Sequence, residues 1–302
     1  MRKLVVIGSS NMDTVIRVPH IPTAGETLLA RSVDFCYGGK GANQAAAIAK
    51  LGGNVAMIGC LGGDSSGQSM LSNLGDCGVD TSGLEQLAGV QSGAAYIYVA
   101  DRGENNIVVS AGANSHLSGD VVGRYRHLLE DAAFCITQLE TPPQTLYFIS
   151  ELCVSLGVRL ILNPAPAAEL DFERLRGTWM IVPNESELDT IIPGELGVDQ
   201  KAKALYQKGF EHVLVTLGSQ GCLLVDEQGE RSFPVYDKLP VRDTTAAGDS
   251  FIGALAFGLA NGLDLNSSID LASRAAAITV SRAGAQPSLP TLAEVHSVFG
   301  SV

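Results

Sequence analysis

The sequence predicts an α/β fold: a central, mainly parallel, twisted sheet flanked by helices, with a small antiparallel β-sheet inserted into that body. Three observations predict it. Short continuous runs of β-branched and other apolar residues recur along the chain, as in strands buried on both faces. Helix-length segments separate them, and alternation repeated this often implies a parallel sheet covered by helices on both sides. Two stretches, about 13–37 and 91–109, break the alternation with short alternating runs that read as antiparallel strands.

Leu4-Val5-Val6-Ile7 is the first buried strand and ends at Gly8. The Ala-rich stretch Gly41 to Leu51 is a helix stopped by Gly52-Gly53, because glycine reaches the left-handed backbone a helix end needs. Val55-Ala56-Met57-Ile58 is the next strand, followed by a helix over Gln68 to Leu74. Ala95 to Val99 and Asn106 to Val109 belong to the small sheet. Leu117 to Asp131 is expected as one helix, and Phe134-Cys135-Ile136 as a strand. Pro142 to Leu156 has prolines at its start and Gly157 at its end, the asymmetry of a helix. Leu160-Ile161-Leu162, Met180-Ile181-Val182 and Val213-Leu214-Val215 are further strands, and beyond residue 246 the chain turns mostly helical. No repeat, low-complexity tract or linker divides it, so residues 1–302 read as a single α/β domain.

Composition limits the function. Hydrophobic residues are 46% and charged residues 17% of the 302, which supplies a large core and excludes disorder as the main state. The net charge is −12 and no basic run occurs, which argues against nucleic acid and anionic membrane surfaces as partners. The weakly polar run Phe251 to Ala260 is about half a membrane span. The apolar stretch after Lys3 is too short for a signal peptide, so a cytoplasmic protein is expected. The six cysteines include no C-x-x-C pair and are read as reduced thiols; the five histidines lack metal-ligand spacing.

Four constellations carry chemistry. In Gly38-Gly39-Lys40-Gly41-Ala42-Asn43-Gln44 the glycines let backbone approach a ligand, and the helix that follows favours polar or anionic groups at its start. It is not a Walker A loop, because Gly41 follows Lys40. In Asp243-Thr244-Thr245-Ala246-Ala247-Gly248-Asp249, small residues can present successive N–H groups to a transferring phosphoryl group. Asp249 beside them can take a proton from an attacking hydroxyl. Gly284-Ala285-Gln286-Pro287-Ser288, with Asp243, offers oxygens for a monovalent cation, although the segment alone reads as a surface turn. Pro183-Asn184-Glu185-Ser186-Glu187 follows a buried strand, where ligands bind in open α/β sheets, and Glu187 could hold Mg²⁺ through water. Gly63-Asp64-Ser65-Ser66-Gly67 matches a nucleophile-elbow pattern without its strand-to-helix context, and no G-x-G-x-x-G occurs, so hydrolase and dinucleotide-enzyme readings are set aside.

The runs at 38–47 and 243–251, with NPAPA at 163–167 and TLGSQG at 216–221, resemble the ribokinase-type carbohydrate kinase family from Gly8 to Pro290. The resemblance implies that the small sheet is a lid over a sugar and that the γ-phosphate of ATP passes to a sugar hydroxyl. It implies Asp249 as catalytic base and Ala246, Ala247 and Gly248 as the anion hole. Asn11, Asp13, Gly39, Lys40, Asn43 and Glu140 would bind the sugar; Asn184, Thr216 and Gly218 would line the nucleotide site; Glu187 would lie near Mg²⁺. Asp243, Thr245, Thr279, Arg282, Gly284 and Ser288 would form a potassium site, several through carbonyls. Relatives acting on 2-deoxyribose tend to carry an apolar residue where Asn11 stands, so the 5-hydroxyl of D-ribose is the expected acceptor, with 2-deoxyribose or a nucleoside as the alternative. A homodimer through the lid is expected by resemblance alone. Ser273-Arg274 departs from the family's usual Asn or His near the adenine pocket.

Overall fold

In a computed structural model, residues 2–301 are described. The chain opens with β1 (Lys3–Ile7), β2 (Asn11–Val18) and β3 (Ser32–Gly38). Helix α1 (Lys40–Lys50), β4 (Val55–Gly62), α2 (Ser65–Asp76), β5 (Asp80–Leu87), β6 (Gly93–Ala100) and β7 (Asn105–Ser110) follow. Then come α3 (Gly119–Arg124), α4 (Arg126–Leu129), β8 (Ala132–Thr137), α5 (Pro143–Leu156), β9 (Arg159–Leu162) and β10 (Met180–Ile181). The last part runs α6 (Glu185–Ile191), α7 (Val198–Tyr206), β11 (His212–Thr216), β12 (Cys222–Asp226), β13 (Gly229–Phe233), α8 (Ala247–Ala260), α9 (Leu265–Val280) and α10 (Leu292–Phe299).

The larger sheet has nine strands in the order β13-β12-β11-β10-β9-β8-β1-β4-β5. Pairing is parallel from β11 to β5 and antiparallel only at the β11-β12-β13 edge. Its apolar runs are buried on both faces. Leu4 and Val6 pack toward α1, α8 and α9, whereas Val5 and Ile7 pack toward α3, α4 and α5, as the two-residue strand period requires. The far end of the second face packs on α5, α6 and α7. The expected helix over Leu117 to Asp131 is split into α3 and α4 at Tyr125, whose backbone leaves the helical region at φ −103° and ψ 17°. Helix α5 runs as expected and ends at Gly157 in the left-handed region.

The two irregular stretches form a separate four-stranded sheet, β3-β2-β6-β7. It consists of two antiparallel hairpins, β2/β3 and β6/β7, joined by a parallel pair, β2/β6. A parallel join needs a long crossover, and α1, β4, α2 and β5 supply it between the hairpins. The sheet is rooted where Asn11 pairs with Gly38 and with Gly93. No described helix is long and apolar enough to cross a membrane.

Candidate active site

The site forms at the carboxyl ends of the parallel strands, where the chain leaves the sheet and polar groups escape the core. Each strand end contributes: Ser9 and Ser10 after β1, Gln138 and Glu140 after β8, Asn163 after β9, Asn184 after β10, and Thr216 at the end of β11. Two helix starts close it from the opposite side. Small residues make their approach possible: a Cβ on Gly253 of α8 would lie 2.6 Å from Ala47 Cβ of α1. The packing brings the first turns of α1 and α8 together although about 200 residues separate them in sequence.

Asp249, in the first turn of α8, is buried. Its Oδ2 accepts from Asn43 Nδ2 and its Oδ1 from Gln44 Nε2, both at 3.0 Å. Gln44 is held in turn: its Oε1 accepts from Gln138 Nε2 at 2.7 Å, and its Nε2 also reaches Asn163 Oδ1 at 3.2 Å. Burial pushes the Asp249 carboxyl above its ordinary range, against the Lys40 ammonium and the two amides, which favour the anion. Before the helix, Ala246 adopts φ 60°, the one positive value outside glycine among the described residues. That conformation turns the chain so that α8 starts abruptly, and such strain is characteristic of functional sites. The Ala247 N–H reaches Thr244 O at 3.2 Å, whereas those of Ala246 and Gly248 meet no acceptor among the described residues. A Cβ on Gly248 would meet open space. That space is a cavity of about 200 Å³ lined by Lys40, Asn184, Glu187, Thr216 and residues 246–249. Asn163, Ala165 and Thr244 line it too.

The sugar-site candidates gather next to Asp249. Glu140 Oε2 accepts from Ser9 Oγ at 2.5 Å and from the Lys40 N–H at 3.0 Å, so it pins the start of α1. Gly39 has φ 86°, and a Cβ there would lie 2.7 Å from the Asn11 N, so glycine is required. Asp13 lies against Gly38, where a Cβ would come within 2.0 Å of its Oδ2. Burial, then the neighbouring Glu140, push the Asp13 carboxyl up to about 7. Asp13 Oδ1 and Asn43 Oδ1 are buried acceptors without partners. Buried acceptors are normally satisfied, so these two have capacity to accept from a ligand's donors.

Asn184 and Glu187 form a reciprocal cap at the start of α6. Both Glu187 oxygens accept from Asn184, at 2.9 Å, and burial raises its carboxyl above the ordinary range. Asn184 also bridges to Thr216 across the sheet, and Gly218 follows in the left-handed turn after β11. The Asp243 carboxylate joins two loops: Oδ1 accepts from Thr245 N–H and Oγ1, and Oδ2 from the Gly284 N–H at 2.8 Å. Burial alone would raise it, but these bonds hold it below its ordinary range. The Gly284–Ser288 segment is not a surface turn: Gln286 and Ser288 are buried, because Lys50 Nζ donates to Gln286 O at 2.6 Å and Asn73 Nδ2 to Gln286 Oε1. Ser288 Oγ donates to Ala285 O. Thr279 Oγ1 ties α9 to α8 through Ser250, and the Arg282 side chain pairs with Glu294, so for a cation those two offer only backbone carbonyls. Arg274 is committed elsewhere, pairing with Asp270 and donating to Gly300 O.

Gln44, Gln138, Asn163, Ser9 and Asn114 were not among the residues assigned from the sequence. Four carry a signal in retrospect: Ser9, Gln138 and Asn163 are polar residues just beyond buried strands, and Gln44 adjoins Asn43. Asn114 carries none, since its partners lie about 100 residues away.

The pfkB family carbohydrate kinase model matches residues 1–292. A ribokinase of Haemophilus influenzae is 39% identical over 299 residues, covering 97% of each chain. A deoxyribokinase of Salmonella typhi is 34% identical, also covering 97% of each. The structure of an Arabidopsis thaliana ribokinase complexed with ribose and ATP superposes with a TM-score of 0.91 at 30% identity, covering 100% of this chain and 99% of that one. This chain belongs to the pfkB family of carbohydrate kinases, and it is a phosphotransferase of the ribokinase type.

Proposed function

We propose that this carbohydrate kinase transfers the γ-phosphate of ATP to the 5-hydroxyl of D-ribose, giving D-ribose 5-phosphate and ADP. The observation that carries the reading is the setting of Asp249. Its carboxylate is buried and bonded to Asn43, whose Oδ1, like Asp13 Oδ1 near the shared neighbour Glu140, is an unpartnered acceptor, and it lines a cavity onto which Lys40 and the start of α8 open. A polyol fits the first side, because its hydroxyls supply the donors those acceptors lack. A polyphosphate fits the second, where N–H groups and an ammonium meet negative charge.

In the reaction the sugar oxygen attacks the γ-phosphorus as its proton passes to Asp249. The bond from that phosphorus to the bridging oxygen breaks, and ADP leaves with the electron pair. The Ala246–Gly248 backbone and Lys40 hold the charge on the transferring group. Asn43 and Gln44 orient the base, and the small sheet covers the sugar and excludes water, which would otherwise compete as acceptor. The fit for Mg²⁺ is through water: Glu187 lines the cavity, but its oxygens already accept from Asn184. When bound with ATP, Mg²⁺ would neutralise phosphate charge. The oxygen-only set of Asp243, Thr245, Thr279, Arg282, Gly284 and Ser288 fits K⁺, which would brace the loop entering α8. Asn184, Thr216 and Gly218 would flank the nucleotide.

2-Deoxyribose is the second reading, favoured by the likeness to the Salmonella typhi deoxyribokinase. Asn11 weighs toward ribose, because a buried amide left without its hydroxyl partner costs affinity. We also propose a homodimer through the small sheet. Phe35, Tyr96 and Val108 fall with Thr14 in one cross-strand row, on the face away from Asp13, and are 72%, 45% and 58% exposed.

Asp249→Asn tests the mechanism. The account expects kcat to fall by about 10³-fold while the sugar still binds. A variant that keeps wild-type turnover would remove Asp249 from the role of base.

A further inference from the structure

We propose that Asn114 is a positioning residue that fixes the amide of Asn11, so that Asn11 offers a donor rather than an acceptor to a substrate hydroxyl and thereby sets selectivity for sugars that carry it. The inference deepens the sugar-kinase reading and rests on it. Asn114 sits in the short turn Gly112–His116 that returns the chain from β7 to the body, and it is 2% exposed. Its Oδ1 accepts from the Ser10 N–H at 2.9 Å. Its Nδ2 donates to Ser10 O at 3.2 Å and to Asn11 Oδ1 at 2.8 Å.

The polarity of this arrangement is decided by backbone. The two ends of a carboxamide have nearly the same shape, but an N–H only donates and a carbonyl only accepts. Ser10 presents one of each to Asn114, so a flipped Asn114 would set donor against donor and acceptor against acceptor. With Asn114 pinned, Asn11 must turn its Oδ1 toward the Asn114 Nδ2. Its own Nδ2 is then the free end, and it meets no acceptor among the described residues. Asn11 shares a face of β2 with Asp13, two residues on. That face therefore presents a fixed N–H donor beside the unpartnered Asp13 Oδ1. The contact also accounts for Gly93: a Cβ there would lie 2.2 Å from Asn114 Nδ2 and 2.4 Å from Asn11 Oδ1. A donor held in place and stripped of its hydroxyl partner stays unpaired, which is how such a site rejects a deoxy analogue. An Asn11 free to rotate would pay that penalty less fully.

The test compares kcat/KM for D-ribose and 2-deoxy-D-ribose in wild type, Asn114→Ala, Asn114→Asp, Asn11→Ala and the double alanine variant, with thermal unfolding of each. Asn114→Ala should lower the ribose-to-deoxyribose ratio about tenfold, through KM and with kcat within about twofold. Asn114→Asp keeps the bond from the Ser10 N–H but sets an oxygen against Asn11 Oδ1, turning Asn11 around; it should lower the ratio too, and it carries the test if the alanine variant does not fold. Adding Asn114→Ala to Asn11→Ala should leave the ratio where Asn11→Ala put it. A ratio unchanged in the Asn114 variants, with only Tm reduced, would make Asn114 structural and overturn the proposal. So would an Asn114 effect that persists without Asn11. If wild type instead prefers another acceptor, the ribose reading fails by itself. The same variants are then scored on that acceptor against its analogue lacking one hydroxyl, and an unchanged ratio there overturns the positioning role.

Discussion

The nine-stranded body and the small sheet obey opposite packing rules. Leu4, Val5, Val6 and Ile7 of β1 are each 0% exposed, whereas every residue of β7 is exposed. The body has helices on both faces; the small sheet has no second layer over most of its area, and apolar side chains such as Phe35 face outward. Yet the site draws on both, taking Asp249, Gln44 and Glu140 from the body and Asn11 and Asp13 from the root of the sheet. The difference separates two jobs. Under the proposed function, a carboxylate that must be aimed within a fraction of an ångström is held by a packed network of amides from Asn43, Gln44 and Gln138. The proposed cover and dimer surface is built from strands with little of their own core.

Breaking the body's network should give the largest effect. Gln44→Leu removes the donor to Asp249 Oδ1 and strands Gln138, so kcat should fall about 10²-fold in steady-state assays with smaller change in sugar affinity. Unchanged kcat would mean that the network does not aim the base.

Asp13 tests the root, where the regions meet. Its folded value, about 7, lies above the ordinary 3.8, so the fold favours its protonated form. The cost of ionising it is absent below the ordinary value, grows as pH rises through that window, and is complete above about 7. Asp13→Asn should therefore raise Tm at about pH 8 and leave it unchanged at about pH 4. For wild type, the sugar KM should fall as pH rises through about 7, because the carboxylate is the better acceptor, and Asp13→Asn should lose that dependence. A flat KM profile in wild type would remove Asp13 from sugar binding.

The sheet's outer face should respond differently. Phe35→Glu should convert a dimer to monomer in sedimentation while changing the stability of the folded chain by no more than about 0.5 kcal/mol. A dimer that survives would place the interface elsewhere.

The regularity of the body is why so much of it was legible. A strand buried on both faces must be apolar throughout, and a helix ending at Gly157 announces its end; both are local facts. The two small-residue helix starts were legible for the same reason, since glycine and alanine at 38–42 and 246–248 leave backbone open at the first turns of α1 and α8. What was not legible depends on distant partners. Gly123, two residues before Tyr125, is the only local hint of the break between α3 and α4, and a lone glycine inside a helical pattern is often tolerated. Ser288 reads locally as a surface turn, and only Lys50 and Asn73, each more than 200 residues from Gln286 in sequence, show why the segment is buried. The parallel join of β2 and β6 likewise depends on which hairpin edge meets which, a choice that alternation within a strand does not encode.

The most direct test of the account is ADP release with Mg-ATP and, in parallel, D-ribose, 2-deoxy-D-ribose, D-fructose and adenosine, each in potassium and in sodium-only buffer. The account predicts strong turnover on ribose, at least about tenfold less on 2-deoxyribose, and a higher rate with potassium. Equal or greater turnover on another acceptor would contradict the sugar-site assignment, and equal rates in the two buffers would contradict the cation site.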